Sequence, residues 1–169
     1  VWDVDFATGA RTVLKVQPVI GYDKSLYETI RIWAPSRDGK RIPISIAWRK
    51  DRFKRDGSAP VYQEGYGAYG ISSDAEFSSN QISLLDRGFL LATAHVRGGA
   101  DLGQEWYEDG RLTHKKNSFN DFEDVTDFLV KEKFGAKDKI FATGGSAGGL
   151  LMGAVANQAG DKYRGIGLH

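Results

Sequence analysis

The sequence predicts an α/β fold organised around a largely parallel sheet with helices on both faces, and three features predict it. From Pro60 onward, short apolar runs alternate with helical segments, the order that parallel strands joined by helices require. The apolar run Ile140 to Thr143 leads directly into Gly144-Gly145-Ser146-Ala147-Gly148 and then Leu150 to Ala156, so a strand turns sharply into a helix at a serine. Phe119, Phe122, Val125 and Leu129 recur at helical spacing and mark the clearest helix of the chain.

Taken in order, Trp2 to Phe6 and Arg11 to Val16 alternate apolar and polar residues around Thr8-Gly9 and read as a hairpin. A hairpin alone is not a stable unit, so this one belongs to a larger β structure. Gln17-Pro18 to Asp23 reads as a linker. Thr29 to Ala34 and Ile42 to Arg49 follow as two strands joined by the turn Ser36-Arg37-Asp38-Gly39. A strand near Pro60 to Gln63 leads into a glycine-rich loop. A helix over Asn80 to Asp86 stops at Gly88, and an apolar strand runs from Phe89 to Val96. Ser118 and Asp121 have the spacing of a capping box, and basic residues with Gly135 close that helix. Strand Ile140 to Thr143, a helix to about Gln158 and a strand Gly165 to Leu168 complete the pattern.

Composition excludes several classes. With 41% hydrophobic residues the 169-residue chain can bury a core, so disorder is not expected. A net charge of +1 supplies no global field for nucleic acid or an anionic membrane, and neither is an expected partner. No apolar run approaches the roughly 20 residues that span a bilayer. The absence of cysteine removes thiolate chemistry and fits a reducing compartment, and a cytoplasmic location is the expectation. Val1 falls in what reads as the middle of a strand.

Among candidate functional residues Ser146 stands first. In G-x-S-x-G between a strand and a helix, the serine hydroxyl projects from a strained turn and can act as a nucleophile. The competing reading is a serine that caps the helix, but four glycines among residues 144–149 are more than a cap needs. Gly65-Tyr66-Gly67-Ala68-Tyr69-Gly70 matches the dinucleotide pattern G-x-G-x-x-G, with Arg97 available for a 2′-phosphate. That pattern needs a helix starting at its glycines, and Ile71 to Ser79 intervenes, so no dinucleotide or other cofactor is expected. The same loop, following an early strand, suits an oxyanion donor beside the nucleophile. Arg49 to Arg55 holds five basic residues and reads as a solvated loop. His95 and His114 lack ligand spacing, and no metal is expected. In hydrolases built on such an elbow, the acid and the histidine come later in the chain. Only Asp161 and His169 do so here, and their placement does not suit a triad with Ser146.

From about Tyr27 onward the chain resembles the prolyl oligopeptidase family of serine peptidases, most closely its oligopeptidase B branch. The resemblance lies in GYGAYG at Gly65 to Gly70, SLLDRGF at Ser83 to Phe89, HVRGGADLGQEWYEDGRL at His95 to Leu112, KKNSFNDF at Lys115 to Phe122 and GGSAGGLLMGAV at Gly144 to Val155. It implies the N-terminal half of an α/β-hydrolase domain over residues 18–169, with residual β-propeller strands over residues 1–17. It further implies Ser146 as nucleophile and an oxyanion hole from the Tyr66 hydroxyl and the Ala147 backbone amide. Neither the triad aspartate nor the triad histidine is assignable within the chain, and the 169 residues alone are expected to turn over no substrate efficiently. Implied partners are short peptides cut after Arg or Lys, together with the remainder of the hydrolase domain and the propeller. Prolyl oligopeptidase, acylaminoacyl peptidase, esterase and a non-catalytic module are the alternatives. Glu64, where the family commonly has an aromatic residue, and Ala100-Asp101, in place of the usual Gly-Glu, depart from its pattern.

Overall fold

A computed structural model describes residues 1–74 and 76–169, so of the Ile71 to Ser79 stretch only Ala75 lies outside the described residues. The N-terminal hairpin pairs β1 (Trp2–Val4) with β2 (Arg11–Val13) in register Trp2 to Val13. It forms a two-stranded sheet of its own in which every strand residue is exposed.

Six further strands make the main sheet: β3 (Tyr27–Pro35), β4 (Arg41–Arg49), β5 (Val61–Gly65), β6 (Leu90–Ala94), β7 (Ile140–Gly144) and β8 (Gly165–Leu168), in the order β3-β4-β6-β5-β7-β8. The parallel pairing expected from Pro60 onward is present, within a sheet that is mixed as a whole. Strands β6, β5, β7 and β8 are parallel, but β3 pairs antiparallel with β4, and β4 antiparallel with β6. The turn at Ser36 to Gly39 is too short for a crossover and forces the β3–β4 hairpin. The helices are α1 (Ile82–Asp86), α2 (Gln104–Glu108), α3 (Lys116–Lys131) and α4 (Ala147–Ala159).

Period-2 alternation assigns the two faces of the sheet. Ile42, Ile44 and Ile46 of β4 are buried in one core with Phe122, Val125 and Leu129 of α3 and Leu151, Met152 and Val155 of α4. Gln63 of β5 points to the same side, its amide donating to Phe122 O at 2.9 Å while its carbonyl accepts from Thr126 Oγ1 at 2.8 Å. Burying these side chains stabilises the layer by about 1.5–3 kcal/mol for each large apolar residue. Helices on both faces were the expectation, yet among the described elements the opposite face is less covered. There α1 supplies Leu85, and the rest opens into a cavity of about 620 Å³ lined by Ser45, Glu64, Tyr66, Leu91 and Thr93.

The capping box at Ser118 and Asp121 is a misreading. Helix α3 starts earlier, at Lys116, after a 3₁₀ turn over Leu112–His114, and no side chain caps it. Ser118 and Asp121 are wholly buried and serve Arg97 instead. Asp121 accepts from Arg97 N at 3.0 Å, Nε at 2.9 Å and Nη2 at 2.6 Å, and the Ser118 hydroxyl donates to Arg97 O. The helix also ends differently, because Lys133, at φ 61, takes the left-handed position expected of Gly135. Gly135 is a packing residue: a Cβ there would lie 2.1 Å from Val61 Cγ2.

Candidate active site

Strand β7 delivers the chain into Ser146, whose backbone sits at φ 55, ψ −116, and whose residue is exposed. A non-glycine residue held there costs about 1–3 kcal/mol, which the surrounding packing must offset. The packing is backbone against backbone: a Cβ at Gly144 would lie 2.5 Å from Gly148 O, and one at Gly148 would lie 2.7 Å from Gly65 O. These two glycines let the start of α4 press against the end of β5. Ser146 makes no side-chain cap bond, so helix capping does not account for it. Its amide donates to His169 O at 2.7 Å, while the Ala147 amide has no hydrogen bond among the described residues. That free N–H lies at the N-terminus of a 13-residue helix, where backbone amides and the helix dipole favour negative charge.

Tyr66 follows β5 directly, and a Cβ on Gly148 would stand 3.6 Å from its Cα, so the tyrosine and the elbow are immediate neighbours. Its hydroxyl has no hydrogen-bond partner among the described residues. Glycine pairs hold the loop beyond it. Gly70 N donates to Gly98 O at 3.0 Å, and a Cβ on Gly98 would lie 2.1 Å from Gly67 O. This stretch is no dinucleotide site, since no helix starts at its glycines and Arg97 is buried and committed to Asp121 and Asp38. Burial works against the Arg97 charge, but the bonds from Asp121 and Asp38 outweigh it and keep the guanidinium protonated. The basic segment at Arg49 to Arg55 is likewise occupied in part, with Arg49 paired to Asp51 and Asp86 and Arg55 to Glu132.

Sequence reasoning missed one constellation entirely. Ser45 Oγ lies 2.8 Å from His95 Nε2, and His95 Nδ1 lies 2.8 Å from Asp101 Oδ1, which also accepts from Ser73 N at 3.0 Å. Burial raises the Asp101 carboxyl, yet the bonds from His95 and Ser73 outweigh it and leave it below the usual aspartate range. An ionised Asp101 accepts from Nδ1–H, and in the neutral ring Nε2 then accepts from the Ser45 hydroxyl. The connectivity is that of a Ser-His-Asp triad. Its own strand offers no free backbone donor for an oxyanion, because β4 is an interior strand and Ser45 pairs with Arg31 on one side and Thr93 on the other. The only sequence signal for it was the polar Ser45 within Ile42-Pro43-Ile44-Ser45-Ile46.

The remaining candidates do not converge on Ser146. His169 touches the elbow through its carbonyl, and its ring faces Gly145 without a hydrogen bond to the serine. Asp161 is exposed in the 3₁₀ turn Gly160–Lys162, and His114 is exposed before α3. Among the described residues no group of His, Cys, Asp or Glu has metal-binding geometry, and no helix is long and apolar enough to cross a membrane.

The family model described as "Prolyl oligopeptidase family" matches residues 75–169, more than half of the chain. The chain belongs to the prolyl oligopeptidase family. Among curated relatives, "Dipeptidyl aminopeptidase BI" of Pseudoxanthomonas mexicana is 56% identical over 96% of this chain and 22% of its own length. "Protease 2" of Moraxella lacunata is 40% identical over 95% and 23%. Oligopeptidase B from Leishmania major superposes with a TM-score of 0.94 at 38% identity, covering 99% of this chain and 23% of that one. The chain thus spans under a quarter of the length of these family members.

Proposed function

We propose that the natural polypeptide carrying this chain is a serine peptidase that acts on short peptides through an acyl-enzyme on Ser146. The observation that carries this is the exposed, left-handed Ser146 at the strand–helix junction, with the free Ala147 amide beside it and Tyr66 packed on Gly148. Ser146 Oγ forms a bond to the scissile carbonyl carbon while its proton passes to a histidine. The carbonyl π pair moves onto oxygen, where the Tyr66 hydroxyl and the Ala147 amide receive it. Collapse breaks the C–N bond, the amine leaves with the proton, and water releases the acyl group. Among the described residues none of His95, His114 and His169 is hydrogen-bonded to Ser146, so in this reading the general base comes from the rest of the natural polypeptide, and the isolated chain is expected to be inactive. In the same reading, residues 1–17 are the end of a β-propeller and residues 18–169 the first part of the peptidase domain. A covalent adduct fits this chemistry, and oligopeptidase B from Trypanosoma brucei has been solved with covalently bound antipain.

Cleavage after Arg or Lys is the substrate reading that the oligopeptidase B likeness supports. The 56% identity to a dipeptidyl aminopeptidase favours a second, release of dipeptides from free N-termini. Amino-blocked and free-amino arginyl fluorogenic peptides separate the two. Cleavage of the blocked peptide supports the endopeptidase reading, and cleavage of free-amino dipeptide conjugates alone supports the second. Activity that survives Ser146→Ala would sink both.

A further inference from the structure

Three loops meet behind Tyr66: the one after β5, the one after β6 and the one before α3. Their backbones touch directly, since a Cβ on Gly98 would lie 2.1 Å from Gly67 O and 3.0 Å from Gly110 O, and one on Gly110 would lie 2.1 Å from Gly98 N. The carbonyls of Gly67, Arg97 and Gly110 turn into this junction, and buried carbonyls need donors. Two side chains of one helical turn supply them. The Lys115 ammonium donates to Gly67 O and, at 3.2 Å, to Ser118 Oγ. Ser118 Oγ has a single proton, given to Arg97 O, and lies 3.2 Å from Gly110 O and 3.5 Å from Gly67 O. Lys115 is half-buried, with the Phe119 ring 5.9 Å away, and no carboxylate pairs with it among the described residues. Its charge is spent on a backbone carbonyl one residue from Tyr66. A lysine side chain surrenders much of its rotamer freedom when it is ordered in this way.

The peptide it holds needs holding. Gly67, Tyr69 and Gly70 all have positive φ, at 66, 57 and 64, so the loop is built from residues that admit many other conformations or are strained in this one. Because Tyr66 immediately precedes Gly67, anchoring the Gly67 carbonyl fixes the chain one residue beyond the tyrosine and restrains the segment that carries it beside the elbow. Proximity of about an ångström decides whether such a donor works.

We propose that Lys115 is a positioning residue for the oxyanion hole, fixing the Tyr66 hydroxyl by clamping the Gly67 carbonyl, with Ser118 closing the same junction. This rests on the reading of Tyr66 as an oxyanion donor. The test uses the natural full-length polypeptide and measures kcat and KM for Lys115→Met in two backgrounds, wild type and Tyr66→Phe. Tyr66→Phe alone is expected to lower kcat about 10²-fold. Lys115→Met is expected to lower kcat about tenfold with KM changed less than about twofold, and to cost less than about twofold in the Tyr66→Phe background. Lys115→Gln, which keeps an amide donor, is expected to lose less, and it carries the same two-background comparison should Lys115→Met fail to fold. An equal loss in both backgrounds, or a loss confined to KM, would overturn the proposal while the Tyr66 reading stands. A Tyr66→Phe variant with unchanged kcat would overturn the Tyr66 reading, and the proposal with it.

Discussion

Two serines of this chain present opposite halves of a catalytic apparatus. Ser45 has a complete relay, with His95 and Asp101 at 2.8 Å steps, yet it sits in the middle of an interior strand whose neighbours are the backbones of β3 and β6. Ser146 has no relay among the described residues, yet it has a strained left-handed backbone, an unused amide beside it and a tyrosine packed against its turn. The contrast shows that a Ser-His-Asp hydrogen-bond chain is not by itself a site. Charge developing on a substrate oxygen must be met by donors, and the elbow, with the Ala147 amide and Tyr66 beside it, is where we propose they lie. The relay does other work: Asp101 holds the Ser73 amide and so ties the loop after β5 to the sheet.

The largest effect that would break this contrast is on Ser146, the proposed nucleophile. In the full-length polypeptide, Ser146→Ala is expected to lower kcat by at least about 10⁴-fold, whereas Ser45→Ala should leave it within about threefold. Steady-state peptide hydrolysis reads both. Gly148→Ala sharpens the comparison through geometry, because its Cβ would lie 2.7 Å from Gly65 O and push the Tyr66 strand off the elbow. A loss of about 10²-fold in kcat with an intact fold by circular dichroism is the expected result. His95→Phe acts on the other site and should cost about 1–3 kcal/mol of stability, since Asp101 and Ser45 lose a buried partner. Denaturant melts would show this while kcat barely moves.

The smallest effect is on pH. The Asp101 carboxyl lies below its usual range in the folded chain, so the relay contributes stability that is fully present above the ordinary aspartate pKa of about 3.9 and is lost as pH falls through the lower folded value. Asp101→Asn should remove that part of the acid dependence of the melting temperature. Ser146→Ala should leave it unchanged, because among the described residues no carboxylate is bonded to the elbow.

The same two serines show what was legible in the sequence. The elbow was visible because everything that makes it is local: an apolar strand, closely spaced glycines and an apolar helix within about twenty residues. The strand Gly165 to Leu168 and the body of α3 were readable for the same reason, from short-range periodicity. The relay was not, because Ser45 and His95 lie 50 residues apart and meet only through the order of strands in the sheet. The capping box failed for a related reason. Ser118 and Asp121 have the right local spacing, but Arg97, more than twenty residues earlier, claims both. Lys115 looked like one more basic residue before a helix, and nothing in its neighbours announces that its ammonium closes on the carbonyl of Gly67.

The most direct measurement is covalent labelling of the natural polypeptide with a fluorophosphonate, followed by peptide mapping. A single adduct on Ser146 and none on Ser45 is the expected result. An adduct on Ser45, or a catalytically active sample in which Ser146 stays unmodified, would contradict it.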